Sequence, residues 1–373
     1  MTVAGNGPNA DTDADPFTAF PDALATTYDL ALSHLRTLGD RPVSRAATPA
    51  EMATALDEPL PEHGCRPADA VTEWLRRADK GIVAGSGPRF FGFVNGGTTP
   101  AALAGDWLAA ALDQNAGLWS MSPAAAQTEL MVLRWLKELF GLPPAWEGAV
   151  TSGATMANLV GLAAARQWVG GKLGFDPAQD GLGGHPVIPV VSSTEIHASA
   201  VKALGTLGLG RGTIHRVPAI GGAIDLDALD RTLAGIPGPV IVVGNAGEVN
   251  TGAFDDLDAL ANRCAIHADG AWLHVDAAFG LFAAASPRFA HLTHGIERAD
   301  SVAADAHKWL NVPYDGGFAF VRDGASLRAA FDATGSYLAA APGAGWNPLS
   351  HVPEMSRRFR ALSYWCALRA DGR

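Results

Sequence analysis

The sequence predicts an α/β fold on a largely parallel sheet, preceded by a layer of helices. Three observations carry this. From about residue 149, short apolar runs alternate with helical patterns, which argues for strands joined by helical crossovers. Ahead of them, residues from about 17 to 80 carry apolar side chains at helical spacing, punctuated by Pro42, Pro49, Pro59 and Pro61. The 373-residue chain is 48% hydrophobic and 17% charged, so it has a large core to fill and modest surface to charge.

The start, MTVAGNGPNADTDADP, is polar and acidic, with no basic or apolar region. Residues 1–16 are therefore expected to be a disordered tail rather than a signal peptide. FPDALATTYDLALSHLRTL and PADAVTEWLRRADKG read as helices, the second closed by Gly81. They make residues 17–95 an N-terminal helical segment. The Gly-rich GSGPRFFGFVNGGTTP leads into a helix over about 101–112. In SPAAAQTELMVLRWLKELFGLPP, Ser122 caps, Pro123 suits the first helical position, and Gly141 and Pro143 stop the helix. Strand-like runs follow in GAVTSG, HPVIPVVSS, GPVIVVGNAG, WLHVDAAFG, SVAADAHK and GGFAFVRD, with helical patterns after the first three. Residues 96–330 then form the large domain. Residues 331–373 are expected to be a mobile loop and the start of a C-terminal region that is cut short.

Composition excludes several functions. The net charge of −11, with no Lys/Arg run, argues against nucleic-acid binding. Cys65, Cys264 and Cys366 are odd in number and far apart, so neither a disulfide framework nor a metal cluster is expected, and a reducing cytoplasm fits. The most apolar long stretch is broken by Asp106 and Asp113, which argues against a membrane span of ~20 residues.

In such sheets, ligands sit beyond the C-terminal strand ends, and several predicted strands end there in polar residues. TSGATMANL places Thr151, Ser152 and Gly153 at a strand-to-helix turn, with Thr155 in the first helical turn. Free N–H groups there form an anion site, and the alternative is an ordinary cap. GLGRG at 208–212 follows a helix rather than a strand and lacks the third Gly of a dinucleotide loop. WLHVDAAFG ends its strand on Asp276, a carboxylate needing a cation or a ligand if buried, with small Ala277 and Ala278 beside it. Its alternative is a rim acid. His197 follows another strand, and could equally be structural.

Lys308, in SVAADAHKWLN, stands behind an apolar strand. An apolar setting lowers an amine's pKa and makes it a nucleophile for Schiff-base formation. The alternative is a lysine that snorkels from the strand edge. A phosphate turn, a buried acid, an imidazole beside a ring-sized space and a nucleophilic lysine together meet the needs of pyridoxal 5'-phosphate.

HVDAAFG followed some thirty residues later by DAHKW resembles the group II pyridoxal-dependent decarboxylases. PRFFGFVNGG, SPAAAQTE, TSGATMANLVGLAAAR, EIHASAVKAL, NTGAFDDL and SRRFRAL extend the resemblance, in the family's order, over residues 17–370. It is closer to the aromatic-amino-acid branch than to the glutamate branch. The resemblance implies the aspartate-aminotransferase-like fold (fold type I of pyridoxal-phosphate enzymes) and a homodimer with active sites at the interface. It implies decarboxylation of an L-amino acid to the amine, through a Schiff base on Lys308 and a quinonoid intermediate. By the same resemblance Asp276 pairs with the pyridine nitrogen and His197 stacks on the ring. Gly153, Ala154 and Thr155 hold the phosphate, with Asp305 and His307 near it. Ala278 packs on the ring, and Asn250–Thr251 approach its substituents.

The sequence departs from that family in three places. It stops where members continue into a small C-terminal domain. APGAGWNPLSHVPEMSRR lacks the tyrosine that assists Cα protonation in the animal aromatic enzymes. Asn115 and Gly117 stand where those enzymes place bulky pocket residues. Aldehyde synthesis, transamination, and a shortened, inactive cofactor-binding or dimerising protein are therefore the rival expectations.

Overall fold

The computed structural model describes residues 16–44, 47–333 and 345–373. The expected tail, apart from Pro16, and residues 334–344 of the expected mobile loop lie outside the described residues. The chain divides into two compact units, Met1–Asn95 and Gly96–Arg373.

In the first unit a 3-10 turn at Pro16–Ala19 precedes α1 (Phe20–Thr37), α2 (Pro49–Leu56) and α3 (Pro67–Ala78). Thr48 begins α2 with a full capping box: its side chain accepts from Glu51 N–H, and Glu51 accepts in return from Thr48 N–H. Phe20, Leu24 and Tyr28 recur every four residues along α1, and each is 54% exposed.

The second unit opens with α4 (Pro100–Leu112) and α5 (Pro123–Phe140). The ends of α5 are as the sequence dictates: Ser122 accepts from Ala125 N–H, and Gly141 closes the helix at φ +68°. The sheet and its helices then alternate: β1 (Glu147–Thr151), α6 (Ala154–Lys172), β2 (Val190–Ser193), α7 (Ala198–Thr206) and β3 (Ile214–Val217). A two-residue hairpin, β4 (Ala219–Ile220) and β5 (Ala223–Ile224), leads to α8 (Leu226–Ala234). Next come β6 (Val240–Asn245), α9 (Leu257–Ile266), β7 (Ala271–Asp276), β8 (Ser301–Asp305), β9 (Gly317–Val321) and α10 (Gly324–Phe331). A 3-10 turn at Pro348–His351 precedes α11 (Ala361–Asp371), which packs on α4 and α5 within this unit.

The seven strands lie in the order β1-β9-β8-β7-β6-β2-β3; β9 is antiparallel to both β1 and β8, and the other pairings in this sheet are parallel. The predicted strand HPVIPVVSS shortens to β2 because Pro186 and Pro189 cannot donate to a ladder.

Strand alternation sorts the core into two layers. Val240, Val242, Leu273, Val275, Phe318 and Phe320 face the side of α5, α8, α9 and α11. Ile241, Val243, Trp272, Ala303, Ala319 and Val321 face α6, α7 and α10. Trp272, Phe318 and Phe320 are almost fully buried, each worth roughly 1.5–3 kcal/mol or more. His274 and Asp276 share the α6 face with Trp272 because all three lie at even steps along β7. The same parity places Asp305 over α6 at the end of β8.

Candidate active site

β6, β7 and β8 are parallel and end together at Asn245, Asp276 and Asp305. The chain after β2 brings His197 to the same rim, as N-cap of α7. A pocket opens there, and His197, Asp276, Ala278 and Lys308 line it together. Glu195, Asn245, Gly247, Glu248, Val249 and Phe279 complete the wall.

Lys308 does not stand among apolar groups as the sequence suggested. Its Nζ lies 2.8 Å from Asp305 Oδ2 and 5.8 Å from the centroid of the Phe279 ring. The correction has a simple cause: the turn after β8 brings residues three apart onto one side. The other oxygen of Asp305 accepts from Ala154 N–H at 2.5 Å, the first helical residue of α6, and sits 3.3 Å from His307 Nε2. The rings of His307 and Tyr314 lie 4.3 Å apart. Burial pushes His307 below its ordinary pKa, with Asp305 opposing and Lys308 adding to the fall.

Gly153 makes this junction possible. Its φ is +149°, and a Cβ there would stand 3.2 Å from both Asp305 Oδ1 and His307 Cε1. Among the described residues, the next two N–H groups of α6, on Thr155 and Met156, have no protein acceptor. They are the unfilled donors of a helix N-terminus and suit an anion. Thr155 is exposed at this turn.

Asp276 is 5% exposed. Its Oδ2 accepts from Asn158 Nδ2 at 2.9 Å and its Oδ1 from Ala278 N–H at 3.2 Å. Among the described residues no cation stands at ion-pair distance. Burial pushes the carboxyl above its ordinary range, and Asn158, His197, Ala278 N–H and Lys308 oppose the rise. Such a carboxylate, opening on a pocket with an amine, fits a ligand that brings a protonated ring nitrogen. His197 Nδ1 accepts from Ser199 N–H at 3.2 Å and lies 2.7 Å from Ser199 Oγ.

Asn250 and Thr251 are exposed and do not line the pocket. Their N–H groups, the Asn250 amide and the Thr251 hydroxyl all donate to Glu248. Burial raises the Glu248 carboxyl, but these donors outweigh it and hold it below its ordinary value. Glu248 is thus the member of this segment that the sequence reading missed, and the turn-forming NTG after it was the available signal. Asn115 Oδ1 accepts from Gly117 and Arg357 N–H groups, outside the pocket.

The model of the pyridoxal-dependent decarboxylase conserved domain matches residues 49–373. The chain belongs to that family. It is an α/β, fold type I, pyridoxal-phosphate-dependent amino-acid decarboxylase, a carboxy-lyase. It is 32% identical to the aromatic-L-amino-acid decarboxylase of Bacillus atrophaeus, over 92% of this chain and 71% of that protein. The 3,4-dihydroxyphenylacetaldehyde synthase of Aedes aegypti is 26% identical, over 97% and 71%. The crystal structure of Oryza sativa TDC with PLP and tryptamine superposes with a TM-score of 0.88 at 27% identity, covering 96% of this chain and 76% of that one. Among the described residues no helix of this decarboxylase is long and apolar enough to cross a membrane, and no cluster of side chains is arranged to hold a metal.

Proposed function

We propose that this decarboxylase acts on an aromatic L-amino acid at the pocket where Lys308, Asp276 and His197 meet. One observation carries the site: a buried carboxylate without a cation and an ion-paired lysine share one cavity at the strand ends. The similarity to the Bacillus enzyme supports the substrate class.

Bound there, pyridoxal 5'-phosphate supplies an electron sink for the charge left on Cα when carbon dioxide departs. Lys308, which Asp305 holds at the pocket, would carry the cofactor through its aldehyde. Asp276 holds the proton at the ring nitrogen. The turn at Gly153, Ala154 and Thr155 would hold the phosphate, with the free N–H groups of Thr155 and Met156 as donors and His307 beside them. Asp305 keeps that turn and the lysine loop together. Ser199 fixes the orientation of His197, which with Ala278 would pack against the ring.

The working form we propose is a cytoplasmic homodimer. The apolar stripe of Phe20, Leu24 and Tyr28 on α1 supports self-association. In its domain organisation, residues 17–95 serve as the N-terminal helical segment and 96–330 as the cofactor-binding large domain.

The test is a screen of L-amino acids for cofactor-dependent release of carbon dioxide, with amine, aldehyde and keto acid measured separately. Equal yields of amine and carbon dioxide from an aromatic substrate are expected. Aldehyde in place of amine assigns the chemistry to that of the Aedes relative instead. In parallel, borohydride should fix the cofactor covalently to Lys308, and Lys308→Ala should lose both the adduct and the absorbance above about 400 nm. A wild-type protein that traps no cofactor overturns the assignment of Lys308.

A further inference from the structure

Beneath Asp276 lies a chain of polar side chains that the chemistry above does not use. Asn158, His274 and Ser301 are fully buried, and Trp272 is 1% exposed. Trp272 Nε1 donates to Ser301 Oγ at 2.8 Å. Ser301 Oγ lies 2.8 Å from His274 Nδ1, and His274 Nε2 lies 2.8 Å from Asn158 Oδ1. Asn158 Nδ2 reaches Asp276 Oδ2 at 2.9 Å and Ser199 Oγ at 3.2 Å.

The direction of every bond follows from the donor inventory. An indole N–H can only donate, so Ser301 Oγ accepts from Trp272; a carboxylate can only accept, so Asn158 turns its nitrogen to Asp276 and its oxygen to His274 Nε2, which leaves a neutral His274 to accept from Ser301 at Nδ1. Burial holds His274 neutral, with its pKa down at about 3, so the ring's single proton is on Nε2 and points at Asn158 Oδ1. The amide is then committed: its oxygen faces His274, and its two N–H bonds face Asp276 and Ser199. Asn158 fills all three roles and cannot flip without setting its oxygen against the carboxylate. The branch through Ser199 reaches His197 Nδ1, so the same amide bears on Asp276 directly and on His197 through one hydroxyl.

The backbone makes room for this arrangement. Trp272, His274 and Asp276 share one face of β7, and Ser301 is the register partner of His274 on β8. One turn along α6 from Asn158, Gly161 lies over the imidazole: a Cβ there would stand 2.7 Å from His274 Nδ1 and Cε1 and 3.1 Å from Ser301 Oγ.

We propose that Trp272, Ser301 and His274 are positioning residues that lock the Asn158 amide, and through it hold Asp276 as the anionic acceptor for the cofactor's ring nitrogen. The proposal rests on the assignment of Asp276 to that nitrogen. Unlike a merely structural role, it concerns one atom of the cofactor.

The experiment compares two ligands on the full-length apoprotein by fluorescence titration: pyridoxal 5'-phosphate, and the deaza analogue in which C–H replaces the ring nitrogen. The wild type should prefer the nitrogen-bearing ligand. His274→Leu should reduce that preference by at least about tenfold, the scale of one hydrogen bond to a charged group. Ser301→Ala, which removes one hydroxyl, should reduce it about threefold, and it decides the matter alone where His274→Leu does not fold. Equal weakening of both ligands, or an unchanged preference, overturns the relay while leaving Asp276 in its role. A wild type with no preference overturns the role of Asp276 itself, and the relay with it.

Discussion

At Gly153 the backbone takes a φ of +149°, and a Cβ would press on Asp305 and His307 at 3.2 Å. Gly153→Ala is expected to cost about 1–3 kcal/mol of local strain. It should weaken pyridoxal 5'-phosphate binding at least about tenfold, measured by equilibrium dialysis, with the far-ultraviolet circular dichroism unchanged. His274 carries a pH dependence whose sign is fixed. Its pKa falls from 6.5 unfolded to about 3 folded, so the unfolded chain binds the proton first as pH drops. Stability is therefore full above about pH 6.5 and falls across that window, by up to about 1.4 kcal/mol per pH unit from this residue. Urea denaturation at several pH values should show a shallower acid decline in His274→Leu. Lys308, Asp276 and His197 were legible in the sequence because each ends or follows an apolar strand. Asn158 was not: it stands inside TSGATMANL, where helical phase alone does not reveal a carboxylate on another element.

Among the elements, β1, α10 and the turn at Pro348–His351 are joined through one side chain. Glu147 accepts from His351 Nε2 at 2.9 Å and pairs with Arg328. The hydrogen bond from His351, then that from Arg328, overcomes burial and brings the carboxyl to about 2 from 4.5. This stabilisation is present above about pH 4.5 and is lost as pH falls toward 2. Glu147→Gln should lower the melting temperature at neutral pH, and the difference from wild type should shrink as pH falls through that window. The sequence made α5 plain at both ends, through Ser122, Pro123 and Gly141. It left β3 and α8 unread. β3 is four residues long, buried at its two ends and exposed between, so it shows neither a continuous apolar run nor strict alternation. The start of α8 did carry a cap, Asp225, which accepts from Asp227 and Ala228 N–H groups.

For the whole molecule, the buried pair of Glu129 and Arg357 connects distant parts of the second unit. Arg357 bonds both carboxylate oxygens and the carbonyls of Ala116 and Val150, and Glu129 also accepts from Val150 N–H. Arg357→Met alone should cost about 3–5 kcal/mol by stranding the carboxylate, whereas Glu129→Leu with Arg357→Met should recover much of that loss in chemical denaturation. Light scattering should give twice the chain mass of 38.6 kDa, and Leu24→Asp should shift it toward the single-chain value. The reversed strand β9 has a practical consequence. Its first residue, Gly317, pairs with Asp305 and abuts Gly153, so residues 306–316 form a loop fastened at both ends on the pocket side. The distance from strand to lysine is therefore counted in residues, like a ruler. One residue inserted between Asp305 and Lys308 should misplace the lysine and remove the cofactor's absorbance above about 400 nm. An engineer choosing where to graft a tag or a reporter finds this edge closed.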